Sequence, residues 1–116
     1  MDITPGTIVK RRLHGLYGLL YWHMGVYVGD GTVVHYNGET KKTRGAVLRR
    51  DALEAFAAGR SIVVHAAPRN AQHGGAVCDE ALRRLDSEAD HYEGRYDFAL
   101  HNCEDFCVDC YQVAYA

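Results

Sequence analysis

The chain has 116 residues, 47% of them hydrophobic and 24% charged, which fits one domain over residues 1–116 and excludes a largely disordered chain. Thirteen lysines and arginines against fifteen aspartates and glutamates give a formal charge of −2, so there is no electrostatic footprint for nucleic acid. No apolar run approaches the roughly 18 residues of a membrane span, and Met1 to Gly6 lacks the basic and apolar regions of a secretory signal, so the expected compartment is the cytoplasm.

In chain order, Thr4-Pro5-Gly6-Thr7 is turn chemistry leading into a short strand at Ile8-Val9-Lys10-Arg11. The Gly15 and Gly18 region reads as a loop. From Tyr21 to Gly29 a strict alternation puts Trp22, Met24, Val26 and Val28 on one face and His23, Gly25, Tyr27 and Gly29 on the other, a strand. Asp30-Gly31 predicts a tight hairpin turn, because both central positions can take positive φ, and Thr32 to Tyr36 is the returning strand. Asn37 to Arg44 reads as a polar loop whose Lys41, Lys42 and Arg44 are solvated, and Ala46-Val47-Leu48 as a further short strand.

Asp51 is expected to cap a short helix carrying Leu53, Phe56 and Ala57, with Glu54 as capping-box partner and Gly59 as the stop. Ser61 to His65 is a β-branched strand, and Pro68 to Gly75 a loop. Val77, Cys78, Ala81, Leu82, Leu85 and Ala89 then recur at helical spacing, with Asp79, Glu80, Arg83 and Arg84 on the outer face. Tyr96 to Leu100 reads as extended. In the last helix Asn102 is the expected N-cap, Glu104 and Asp105 suit the positive end of the helix dipole, and Cys103, Phe106, Cys107 and Cys110 share a face. The fold class is α+β, a small antiparallel sheet packed by two or three helices.

A thiol becomes a nucleophile where its thiolate is favoured, and a helix start beside an imidazole is such a place. Cys103 is expected at that start. His23 alternates away from the apolar face of its strand, Gly25 leaves room beside it, and His35 on the partner strand can meet it across the ladder. Together they form a Cys103, His23, His35 set of nucleophile, base and orienting group. A cysteine on a helix face is more often a small buried hydrophobe, and that reading is kept for Cys78, Cys107 and Cys110. The histidines at 14, 65, 73 and 91 read as surface or hydrogen-bonded core residues. Trp22, Tyr27, Asn102 and His101 are the residues expected to touch substrate. A metal held by Cys103, Cys107 and Cys110 is the alternative use of that stripe, but three ligands on one helix rarely converge on one ion, so core packing explains it better and no metal or cofactor is expected.

The segment Trp22-His23-Met24-Gly25-Val26-Tyr27-Val28-Gly29-Asp30-Gly31-Thr32-Val33-Val34-His35, followed later by Asn102-Cys103-Glu104-Asp105-Phe106, resembles the lecithin:retinol acyltransferase-like (LRAT-like) family. Pro5-Gly6, Ala81 and Tyr96-Asp97 match as well. Asp105 stands where the family commonly has histidine. The resemblance implies a circularly permuted papain-like fold, with histidine before cysteine in the chain, and a thioester acyl-enzyme. It makes Cys103 the nucleophile, His23 the general base and His35 the orienting group, with backbone N–H groups at the start of the last helix stabilising the oxyanion. The implied partner is an acyl donor, with lipid among the candidates. For the Leu16, Tyr17, Leu19, Leu20 and Tyr21 cluster, core burial and peripheral lipid contact are the two readings. Tyr96 to Cys103 also looks like the cysteine segment of permuted papain-fold desumoylating isopeptidases, which keeps a peptidase or isopeptidase reading open. A non-catalytic interaction module of viral, phage or bacterial type is the third.

Overall fold

Alternation along the second strand sends apolar side chains to one side and His23, Gly25 and Tyr27 to the other, and both sides of the resulting sheet are covered. The computed structural model describes residues 3–13, 22–36, 48–87 and 99–113, with side chains in the last segment described from Glu104 to Gln112. Strands β1 (Ile8–Arg12), β2 (Trp22–Gly29), β3 (Thr32–Tyr36), β4 (Leu48–Ala52) and β5 (Val63–Ala66) form one antiparallel sheet in the order β4-β3-β2-β1-β5. Helices α1 (Leu53–Ala57), α2 (Ala71–Ser87) and α3 (Ala99–Val113) complete the fold. This α+β arrangement is compatible with the small papain-like fold expected. The readings placed on residues 14–21, 37–47 and 88–98 lie outside the described residues.

On one face, Ile8, Met24, Val26, Val34, Tyr36 and Leu48 pack against Val77 and Ala81 of α2 and Phe106, Cys107 and Cys110 of α3. The other face holds a smaller cluster of Val9, Val33 and Phe56, with Ile3, Tyr27, Leu53 and Ile62 against it. The hairpin forms as expected, with Asp30 at φ 54 and Gly31 at φ 70. A register shift between Tyr27 and Gly29 makes a bulge ahead of the turn. Tyr27 braces that turn, its Oη accepting from the Gly31 N–H at 3.1 Å.

Four expectations are corrected. Asp51 lies in β4 and does not cap α1; Ala52 stands at the N-cap without a side-chain hydrogen bond, and the Leu53 N–H instead donates to the Gly31 carbonyl at 2.8 Å. Helix α2 begins at Ala71, inside the expected Pro68 to Gly75 loop. Its Gly74 is there for contact: a Cβ on Gly6 would lie 2.5 Å from the Gly74 backbone, so the Pro5-Gly6 turn seats directly on the helix. Ala99 and Leu100 are helical, not extended, and α3 therefore starts before Asn102. Glu80, read as an outer residue, is 9% exposed, and Arg83 and Arg84 bond to it and hold its carboxyl below the usual range. Arg84 also reaches Asp109 at 3.5 Å, tying α2 to α3.

Gly25 decides the second face. A Cβ there would stand 2.5 Å from Val33 Cγ1, 3.0 Å from Phe56 Cε1 and 3.2 Å from His35 Cβ. Gly25→Ala is expected to destabilise the protein by about 1–3 kcal/mol through overpacking. Gly75→Ala, at a helical position with open space around it, is expected to stabilise by about 0.5–1 kcal/mol. Urea unfolding midpoints of the two variants against the parent check both signs.

Candidate active site

Antiparallel registers build a row of polar side chains across the second face. Arg11 on β1 is the register partner of His23 on β2. Gly25 follows two residues later, opposite His35 by continuation of the Val26 to Val34 pairing, and Asp51 on β4 pairs with Val33. Residues two apart on a strand share a face. Asp51, His35, His23 and Arg11 therefore lie on one side, one from each of four neighbouring strands.

The row is hydrogen-bonded end to end on its Asp51 side. Asp51 Oδ2 lies 2.8 Å from His35 Nε2, and His35 Nδ1 lies 3.0 Å from His23 Nε2. Phe56 closes over both imidazoles, stacked on His23 at 5.3 Å and edge-on to His35 at 5.1 Å between ring centroids. Helix α1 is held in that position by Arg11, whose Nε donates to the Phe56 carbonyl at 2.8 Å. His23 is 2% and His35 6% exposed.

Burial sets the protonation of this row. It pushes His23 down to about 2, with His35 and the Arg11 guanidinium adding in the same direction. It lowers His35 as well, against the hydrogen bond and charge of Asp51, which pull the other way. Both rings are neutral at pH 7. A carboxylate can only accept, so His35 carries its proton on Nε2, and its Nδ1 is an acceptor. His23 must then donate from Nε2. Its lone pair is left on Nδ1, the nitrogen with which a neutral imidazole can take a proton.

The expected site residues fall into three groups. His23 and His35 meet, as the hairpin register requires. Trp22 is half-buried on the other face, flanked by Lys10 Nζ at 4.4 Å and Arg12 Cζ at 4.2 Å from its ring centroid. Tyr27 is engaged in the turn. Cys103, Asn102 and His101 lie on α3, which packs against β2, and their side chains are outside the described residues. Because α3 is already helical at Ala99, Cys103 is a full turn inside the helix and Asn102 is not its N-cap. The backbone N–H of Cys103 is thus drawn into the helix's own bonding, and the end-of-helix field has largely fallen away by that residue.

The other thiols are spent on packing. Cys107 and Cys110 are fully buried in the core, and burial pushes the Cys110 thiol up to about 12 and the Cys78 thiol up to about 11. An apolar groove of about 140 Å³ opens beside Cys107, Val108 and Tyr111 of α3, floored by Ile8 and Met24. It starts one helical turn, about 6 Å of rise, along α3 from Cys103.

Two members of the row were not legible as site residues. A cap role for Asp51 follows only if the strand ends at Leu48; carrying that strand three residues further puts Asp51 opposite in facing to the buried Leu48, on the histidine side. Arg11 stands two residues after the buried Val9 and so shares its face, which is the signal that it points under α1.

Comparison with curated protein sequences returned no match. The family model described as Lecithin retinol acyltransferase matches residues 2–114, which takes in the hairpin with both histidines, Asp51 and the whole of α3. By that match, over nearly its full length, the chain belongs to the lecithin retinol acyltransferase family.

Proposed function

We propose that the protein is a thiol-dependent acyl-transfer enzyme in which Cys103 is the nucleophile, His23 the general base and His35 the group that orients it. The observation that carries this reading is the buried, neutral His23–His35 pair at 3.0 Å, in a chain whose family points to acyl transfer or acyl hydrolysis. A neutral imidazole with a fixed tautomer has a lone pair that can take a proton, although the burial that keeps it neutral also weakens it as a base, and a family of that chemistry supplies the reason to keep one buried.

Cys103 Sγ attacks the acyl carbonyl while its proton passes to His23 Nδ1, and the carbonyl π electrons move to oxygen. Collapse of the tetrahedral adduct breaks the bond to the leaving group, which takes the proton from His23, and a thioester remains on Cys103. Water, an alcohol or an amine then attacks the thioester, giving its proton to His23, and collapse returns that proton to the thiol. Water makes the overall reaction hydrolysis; an alcohol or amine makes it acyl transfer. With Cys103 a turn inside α3, activation of the thiol rests on His23 more than on the helix dipole. His23 is the second residue of β2, and this reading requires the Cys103 thiol to reach its imidazole at that end of the strand. The groove beside Cys107, Val108 and Tyr111 gives an acyl chain an apolar bed, which favours lipid acyl donors over peptide amides.

Iodoacetamide labelling read by peptide mass spectrometry tests the pair. Cys103 is expected to react below about pH 7, well under the ordinary thiol range near 8.5, while Cys78, Cys107 and Cys110 stay slow. His23→Ala is expected to move Cys103 labelling into that ordinary range. Equal labelling of Cys103 in parent and variant would remove the physical basis of the reading.

Chain-length preference tests the groove. Val108, 40% exposed on its rim, can be changed without entering the core. Val108→Glu is expected to slow turnover of a long-chain nitrophenyl ester by about tenfold, the effect of about 1.4 kcal/mol, and to leave the acetyl ester unchanged. Equal effects on both esters would place the acyl chain elsewhere.

Stability carries the same signature. His23 titrates near 6.5 when unfolded and near 2 when folded, so between those values the unfolded chain binds the extra proton. Stability is full above about pH 6.5 and falls as pH drops toward 2, by up to about 1.4 kcal/mol per pH unit from His23. Thermal melts at pH 7.5, 6 and 5 read this slope, which His23→Phe is expected to flatten.

A further inference from the structure

The register that aligns the two histidines ends at a carboxylate on an edge strand, and that carboxylate is the one member of the row with access to water. Asp51 has a quarter of its side chain exposed, against 8% for His35. Its Oδ2 meets His35 Nε2 at 2.8 Å, and its Oδ1 lies 3.8 Å from Arg49 Nε. Asp51 does not cap α1, whose Leu53 N–H donates to the Gly31 carbonyl.

We infer that Asp51 is a positioning residue for the Cys103–His23 chemistry: by accepting from His35 it fixes both imidazole tautomers and leaves the proton-accepting lone pair on His23 Nδ1. The inference rests on the proposed function and extends its base by one residue beyond the two histidines.

Two physical effects support the assignment. A carboxylate has no proton to give, so His35 in contact with it has only one tautomer, and through the 3.0 Å contact so has His23. An amide in its place can donate as well as accept, which frees both rings to reverse. The second effect is charge. When His23 takes the proton of Cys103, a cation forms beside the buried Arg11 guanidinium, and Asp51 is the anion on the row that offsets it. Among the described residues, the charged groups facing the row are Arg11 from β1 and Asp51 with Arg49 from β4. From α1 the row is faced by the Phe56 ring, while Glu54 is exposed. Arg50 is turned to the other side, its Nε bonding to Thr32 Oγ1 at 2.9 Å.

The experiment compares the parent with Asp51→Asn, Asp51→Glu and His23→Ala, using the pH profile of Cys103 alkylation and the ring ¹⁵N shifts of the histidines. Circular dichroism melts establish that each variant is folded. Asp51→Asn is expected to raise the alkylation midpoint by about one pH unit, a tenfold loss of labelling rate on the acid side, and to mix the tautomers of His35 and His23. Asp51→Glu, which restores an acceptor-only group, is expected to recover the parent midpoint and a single tautomer. An unchanged midpoint and unchanged ring shifts in Asp51→Asn, with His23→Ala still inactivating the thiol, would overturn the role of Asp51 and leave the proposed function standing. If His23→Ala leaves Cys103 labelling unaltered, the proposed function has failed. The inference then falls with it as a statement about catalysis, whatever tautomers the ring shifts report.

Discussion

Burying polar side chains on the second face of a small sheet is the constraint on which the rest of the structure depends. Two neutral imidazoles and a guanidinium lie under Phe56, and each would be costly there without a partner. The antiparallel registers supply the partners: His23 bonds to His35, His35 to Asp51, and Arg11 to the Phe56 carbonyl. Gly25 makes the arrangement possible by leaving out the one side chain that would otherwise hold Phe56 off the sheet. Helix α1 is five residues long and lacks a side-chain cap, so its place is set by what it covers and by the hairpin carbonyl that caps it.

The two faces of the sheet divide the work. The face under α2 and α3 is the ordinary hydrophobic core, and the thiols of Cys107 and Cys110 serve there as small apolar groups. Burial opposes ionisation of the Cys110 thiol, which separates it chemically from any thiol beside His23. The face under α1 is smaller and polar at its centre, and its energy comes from satisfied hydrogen bonds as much as from area. Strand β2 belongs to both: Met24 and Val26 point into the core, while His23 and Tyr27 point under α1. One strand with a strict period of two therefore couples the rigid core to the titratable row.

That coupling explains the neutrality of the base. An imidazole on a water-exposed strand would titrate near its ordinary value and be partly charged at pH 7. Sealing His23 behind Phe56, beside a fixed guanidinium, keeps it uncharged well below that pH. At His35 the lowering by burial is opposed by Asp51, which sits at the edge where water can still reach it, and by a hydrogen bond with the Tyr36 backbone. The charge order across the sheet, anion at β4 and cation at β1 with two neutral rings between, gives the row a direction.

By itself the sequence determined what local chemistry can determine. The alternation from Trp22 to Gly29 and the Asp30-Gly31 turn specify the hairpin, but the bulge between Tyr27 and Gly29, a feature of the folded ladder, shifts the register by one residue and so brings His23 and His35 onto one face. The helical stripe of Phe106, Cys107 and Cys110 likewise specifies a buried helix face, and the order of the two motifs in the chain points to the family. Tertiary structure decided the ends of the elements and everything that depends on them. Asp51 is a good helix cap in isolation, but pairing with β3 carries β4 through it and turns its carboxylate to His35. Gly74 reads as a loop residue until the Pro5-Gly6 turn, nearly seventy positions away in the chain, is seen to need a helix backbone without a side chain there. The helix of Cys103 starts at Ala99, before the residue best suited to cap it. For Asp51 and Gly74 a contact between segments distant in sequence outweighed a local preference of about 1 kcal/mol, and only the folded chain contains that contact.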